Sequence, residues 1–229
     1  MKRLLCFSVA LLLLSLPVSA EEGKKIIYLT FDDGPGPYTE ELLDILQREN
    51  VKVTFFVTGK AADYPEILRR IADEGHTIGL HSFSHDYQTI YSSQEAFYED
   101  LQKLEFLIFE ETGLHPKLLR FPGGSSNTVS CFNPGIMSRL CASVKEQGYL
   151  YVDWHVDSKD SVGCRSTEGV LLNMKNGSEQ WCDCVILQHD IYAYSVDAVE
   201  DFIRWGKAKG YCFAPLTEDG PFAKHHIYN

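Results

Sequence analysis

Ile26-Ile27-Tyr28-Leu29-Thr30-Phe31-Asp32-Asp33-Gly34-Pro35 is the stretch from which the fold is read. A run of apolar and β-prone residues ends on two adjacent acids and a tight Gly-Pro turn, so a buried strand carries carboxylates to its own C-terminal end. Strands and helices then alternate. Thr39 to Gln47 has Leu42, Leu43, Ile45 and Leu46 at helical spacing, and Val51 to Val57 reads as a second strand. Pro65 opens a helix with Ile67, Leu68 and Ile71 on one face and Gly75 at its stop, before a third strand over Thr77 to Leu80. Ser93 is placed to cap a long helix carrying Phe97, Leu101, Leu104 and Ile108 that ends near Gly113. Leu118 to Arg120 is a short strand, Pro134 starts a helix that closes near Gly148, and Tyr149 to Trp154 reads as an aromatic strand. A helix over Val170 to Met174, a buried strand over Val185 to Gln188, a helix over Val196 to Trp205 and a last strand over Tyr211 to Ala214 complete the pattern.

Repeated strand-helix units predict an α/β fold with about seven parallel strands, an irregular, distorted barrel. Periodicity does not decide between that barrel and an open doubly wound sheet. Both place a functional site at the carboxyl ends of the strands.

The composition suits a globular chain with a sizeable core: 229 residues, 45% hydrophobic, 23% charged, with 17 Gly and 9 Pro. It excludes disorder, collagen and coiled coil. Residues 1–20 read as a signal peptide, with Lys2 and Arg3 ahead of an apolar run from Leu4 to Leu16 and small residues at Val18-Ser19-Ala20. That run is shorter than the roughly 20 residues of a spanning helix, so the expectation is a secreted, extracellular product, with residues 21–229 forming a single domain free of the membrane and monomeric. Without residues 1–20 the chain has 19 basic against 32 acidic residues, a formal charge of −13. This argues against nucleic acid as a partner and requires a locally positive site for any anionic one. Six cysteines remain after Cys6 leaves: Cys131, Cys141, Cys164, Cys182, Cys184 and Cys212. An even number in an exported chain predicts disulfides, whose pairing among about 15 connectivities is not legible. Cys182-Asp183-Cys184 lacks the spacing of a zinc site.

Polar clusters follow five of these strands: Asp32-Asp33-Gly34, His81 with His85, Arg120, Asp157 with Asp160, and His189-Asp190. In a barrel they converge on one rim. Asp-Asp-Gly alone is a common turn, and His81-Ser82-Phe83-Ser84-His85 alone reads as two exposed histidines at a helix cap. Together they say more. Two imidazoles four residues apart suit one face of a helical turn, and with Asp33 they make three ligands for one ion, leaving a position open for water or substrate. Imidazole nitrogen with carboxylate oxygen suits zinc.

Five motifs, in order, resemble those of the NodB-type polysaccharide deacetylases, carbohydrate esterase family 4. They are Thr30 to Pro35, His81 to His85, Arg120-Phe121-Pro122-Gly123-Gly124, Trp154 to Ser161, and Leu187-Gln188-His189-Asp190, and the likeness runs over residues 25 to 215. The resemblance implies Asp32 as catalytic base and Asp33, His81 and His85 as ligands of one divalent metal, Zn2+ by default, with Co2+, Ni2+ or Mn2+ fitting the same ligands. It implies that Arg120 orients the base, that the Gly123 N–H helps hold the oxyanion, and that Asp160 orients His189 as general acid. Leu187 would line the acetyl pocket. Ser161 stands where the family has Trp, which leaves Trp154 as the candidate pocket wall. The implied reaction removes N-acetyl groups from N-acetylglucosamine units of an extracellular or cell-wall polysaccharide, peptidoglycan or chitin-like, and releases acetate. O-acetyl ester cleavage on xylan and a non-catalytic carbohydrate-binding role are the alternatives. His76 and His155 are expected to be structural, and His115, His225 and His226 solvated.

Overall fold

Both faces of the first strand are covered, and everything else is arranged about it. The computed structural model describes residues 25–229; the signal segment expected at 1–20 lies outside the described residues. In chain order the elements are β1 (Lys25–Asp32), α1 (Thr39–Arg48), β2 (Thr54–Val57), α2 (Pro65–Asp73), β3 (Thr77–Leu80), α3 (Tyr87–Ile90), α4 (Gln94–Thr112), β4 (Leu118–Leu119), α5 (Ile136–Glu146), β5 (Leu150–Tyr151), β6 (Val156–Asp157), α6 (Thr167–Ser178), β7 (Asp183–His189), α7 (Ala193–Val196), α8 (Val199–Ala208) and β8 (Tyr211–Phe213). The helical signals act as read. Ser93 Oγ accepts the Ala96 N–H at 3.1 Å to start α4, and Gly113 ends it at φ 71°, a left-handed conformation that favours glycine.

All strand pairs are parallel, in the order β5-β4-β3-β2-β1-β7-β6. β7 pairs along β1 from Ile26 to Asp32. The other edge of β1 is shared: β8 takes Lys25 to Ile27 and β2 takes Thr30 to Asp32. Seven strands laid flat would span about 29 Å between the outermost two. Those two, β5 and β6, are joined by only Val152 to His155, which reaches about 17 Å at full stretch, so the sheet must curl. The curl stops short of a ladder between β5 and β6. Val152 O and Asp153 O instead accept from Arg120, and the Asp153 N–H donates to Ala223 O. The aromatic strand expected over Tyr149 to Trp154 is thus cut at Tyr151, and a further strand, β6, follows the gap.

Alternate residues of the strands face two apolar regions. Ile27, Leu29, Phe31 and Phe55 pack under the helices with Leu42, Leu46, Leu68, Phe97 and Leu104. Phe56, Leu118, Val152, Val185 and Leu216 form a smaller cluster on the other face. Each fully buried side chain of this size stabilises the fold by about 1.5–3 kcal/mol. No helix among the described residues is long and apolar enough to cross a membrane.

The disulfide expectation is corrected: all six cysteines are free. The register gives one reason. Cys212 lies opposite Ile26 on one edge of β1, while Asp183 and Cys184 lie opposite Ile26 and Ile27 on the other. Two strand spacings are about 9.6 Å, beyond the roughly 7 Å across which two Cα atoms can be bridged.

Candidate active site

The two acids at the end of β1 part company. Asp32 continues the strand and is buried, whereas Asp33 turns at φ 74°. Arg120, directly after β4, is fully buried and spans the interior to reach Asp32: its Nη1 donates to Asp32 Oδ1 at 2.8 Å and to Thr30 Oγ1 at 2.6 Å. Its Nε and Nη2 donate to the carbonyls of Val152 and Asp153, each at 3.0 Å, and its guanidinium lies 4.2 Å from the Phe56 ring centre. A buried guanidinium needs this many partners. The result is a carboxylate held in one orientation.

Asp33 Oδ1 stands 3.4 Å from His81 Nε2 and 3.3 Å from His85 Nε2, and the three ligand atoms lie within 4.8 Å of one another. His81 Nδ1 is 2.8 Å from Arg120 O. A carbonyl only accepts, so Nδ1 carries the hydrogen, which leaves Nε2 to face the carboxylate. Burial, then the charge of His81, lowers the pKa of His85, which favours the neutral ligating form. Burial alone would raise Asp33, but His81 foremost among the facing imidazoles outweighs it and holds the carboxyl well below the usual range. Asp33 Oδ1 is buried without a hydrogen-bond partner. An orphaned acceptor facing two imidazole nitrogens fits a cation.

The histidine pair does not sit on a helical turn, and that expectation is corrected. Ser82 and His85 adopt φ 71° and 52°, left-handed values that cost energy in residues with a Cβ. Asp100, a buried acid from α4, holds the loop in this form: its Oδ1 accepts from Ser82 Oγ and the Phe83 N–H at 2.6 Å, and its Oδ2 from the Ser84 N–H at 3.0 Å. Sequence reasoning missed Asp100. Its signal was an acid in phase with the apolar stripe of Phe97, Leu101, Leu104 and Ile108.

On the other side, His189 Nδ1 is 2.7 Å from Asp160 Oδ1, while Asp160 Oδ2 accepts from the His189 N–H at 2.7 Å and Ser195 Oγ at 2.6 Å. Burial alone would lower the His189 pKa; the hydrogen bond and charge of Asp160 outweigh it and raise it to about 9. The Asp160 carboxylate therefore favours the protonated form of His189. The neighbouring Asp190 is fully buried behind the turn, accepts from Thr39 Oγ1 at 2.6 Å, and has its carboxyl pushed up to about 7 by burial.

Asp32, Asp33, His81, His85, Gly123, Trp154, Leu187 and His189 all line one cavity of about 320 Å³, with Arg120 and Asp160 buried behind it. Tyr87, Asp157, Ser161 and Val162 complete the lining. Val162 is 76% exposed, so no bulky wall stands at this rim. Trp154 is braced instead from behind. His225 Nε2 is 2.8 Å from Trp154 O, its ring meets the indole edge-on at 4.6 Å, and its N–H donates to the buried Asp153. His225, expected in solvent, is thus a packed residue. His76 and His155 are structural as expected, their Nδ1 atoms lying 3.2 and 3.0 Å from the Val53 and Val185 N–H groups.

Residues 19–133 match the polysaccharide deacetylase family. A peptidoglycan-N-acetylglucosamine deacetylase of Bacillus cereus is 35% identical over 209 residues, 87% of this chain and 72% of the relative. The catalytic domain of a peptidoglycan N-acetylglucosamine deacetylase from Eubacterium rectale has a crystal structure that superposes with a TM-score of 0.88 at 47% identity, covering 94% of this chain and 99% of that one. The crystal structure of a polysaccharide deacetylase from Bacillus cereus gives 0.78 at 34% identity, over 88% of this chain and 97% of its own. With its curled parallel sheet and its strand-end acids and imidazoles gathered in one cavity, the chain belongs to the polysaccharide deacetylase family.

Proposed function

We propose that this enzyme removes N-acetyl groups from N-acetylglucosamine units of a cell-wall or extracellular polysaccharide, that it depends on one divalent metal, and that it is exported from the cell. The observation that carries the metal is the orphaned Asp33 Oδ1 facing His81 and His85. Two imidazole nitrogens and one carboxylate oxygen favour zinc. The names of the relatives from Bacillus cereus and Eubacterium rectale support the amide of a peptidoglycan glucosamine over the ester of xylan. Export rests on the signal-like residues 1–20 alone.

An ion held by Asp33, His81 and His85 supplies a Lewis acid for the acetyl carbonyl and an acidic water. Asp32, fixed by Arg120, takes the proton from the attacking water as its oxygen bonds to the carbonyl carbon. The Gly123 N–H is the donor for the oxygen that gains charge. His189, kept protonated by Asp160, passes its proton to the amine as the carbon–nitrogen bond breaks, giving acetate and glucosamine. Leu187 and Trp154 flank the acetyl methyl.

Acetate release from peptidoglycan and from a β-1,4-linked N-acetylglucosamine oligomer tests this directly. The expected result is release that stops on chelation and returns with zinc. Metal-bound protein that frees acetate only from acetylated xylan, or from nothing, would overturn it.

A further inference from the structure

Tyr87 has no part in the roles assigned above, yet it lines the cavity between the histidine loop and the loop of Gly123. Its hydroxyl lies 3.9 Å from where a Cβ on Gly123 would stand. Gly123 itself can carry no such group. Its φ is 77°, and a Cβ there would come within 3.1 Å of Asn127. The space beside its N–H is therefore left to a residue from another loop.

The placement of that residue is built rather than incidental. Asp86 caps the short turn that begins at Tyr87, accepting the Gln88 N–H at 3.1 Å. The Tyr87 ring stacks on Tyr91, centres 6.3 Å apart and planes within 7°, and leans on His85 at 5.2 Å. Tyr91 is fully buried and its hydroxyl donates to Pro122 O at 2.7 Å, immediately before Gly123. The pair of rings thus ties the histidine loop to the Gly123 loop. The Tyr91 hydroxyl is engaged by this bond; that of Tyr87 has no such partner among the described residues.

We infer that the Tyr87 hydroxyl is a catalytic hydrogen-bond donor to the oxygen of the scissile acetyl group, acting beside the Gly123 N–H. Two donors aimed at one oxygen, each about 2.8 Å from it, stand roughly 4–5.5 Å apart, which the position of the hydroxyl over Gly123 allows. The phenol stays un-ionised, and no bond to it forms or breaks. Its hydrogen bond strengthens as the carbonyl oxygen gains charge, so it acts on the transition state more than on bound substrate.

This inference rests on the deacetylase reading, and Tyr87→Phe separates the two because it keeps the ring against Tyr91 and His85. Zinc-loaded wild type and variant are compared on an N-acetylglucosamine oligomer, with zinc content and melting temperature measured for both. The expected result is kcat lower by roughly a hundredfold, the lower end of the range for one lost oxyanion donor, with KM within about twofold and zinc content unchanged. An unchanged kcat, or a rise confined to KM, overturns the assignment while leaving the deacetylase reading intact. Loss of zinc from the variant also overturns it, because Tyr87 would then be supporting His85. A zinc-loaded wild type that releases no acetate removes both.

Discussion

Arg120 Nη1 stands 2.8 Å from Asp32 Oδ1, with both side chains buried. The pair links the end of β4, three strands away in the sheet, to the end of β1, and the same guanidinium bridges the gap between β5 and β6 through Val152 and Asp153. One side chain therefore serves the site and the closure of the curl. Arg120→Met leaves a buried carboxylate uncompensated, and the expected cost is about 3–5 kcal/mol. At this chain length that lowers the melting temperature by roughly 10 °C. Thermal unfolding at neutral pH checks it; a shift of less than about 2 °C would show that water reaches Asp32.

His189 ties activity to pH. Its pKa of about 9 lies above the ordinary 6.5, so protonation is favoured by the fold. The stabilisation is complete below the ordinary value and is lost as pH rises through about 9. Activity needing the imidazolium therefore declines on the alkaline side near pH 9. Asp160→Asn removes the main source of the upward shift, so kcat drops and the alkaline limb moves down by at least a unit. A pH profile of kcat/KM for both proteins measures this, and coincident limbs would rule out the His189–Asp160 couple as its origin.

Asp100 touches neither substrate nor ligand atoms but holds Ser82, Phe83 and Ser84. In Asp100→Ala this loop loses the acceptor of three donors, including Ser82 Oγ, the group that in turn accepts the His85 N–H at 3.0 Å. Zinc affinity is expected to fall about 10–100-fold, the usual effect of removing support behind a ligand. Competition against a chromophoric chelator gives the number. Asp33→Ala, which removes a ligand itself, should lose more.

The free cysteines have a reactivity order. Cys131, Cys182 and Cys212 are exposed, whereas Cys184 is buried and burial pushes its thiol up to about 11. Brief alkylation of the native protein at pH 8 should label the first three and spare Cys184, with all six labelled after unfolding without reductant. Mass spectrometry of the peptides reads the pattern. Fewer than six labelled after unfolding would restore the disulfides expected for an exported chain.

Local signals in the chain carried much of this. The acids after Ile26 to Phe31, the capped stripe of α4, and the imidazoles after β3 each depend on residues within a turn or two of one another, where periodicity and capping act. They were enough to place a parallel α/β sheet with acids and histidines at its carboxyl ends. Tertiary structure alone decided what depends on partners far apart in sequence. The connection between β5 and β6 is held by Arg120, which lies 32 residues before Val152 and donates to the Val152 and Asp153 carbonyls. The histidine loop departs from a helical turn because Asp100 gathers its donors, and Trp154 is braced because His225, 71 residues on, packs beneath it. Tyr87 meets Gly123 only once two loops are closed over the same cavity. Short-range preferences set which residues end each strand; the contacts that aim them form between chain segments whose spacing no local pattern records.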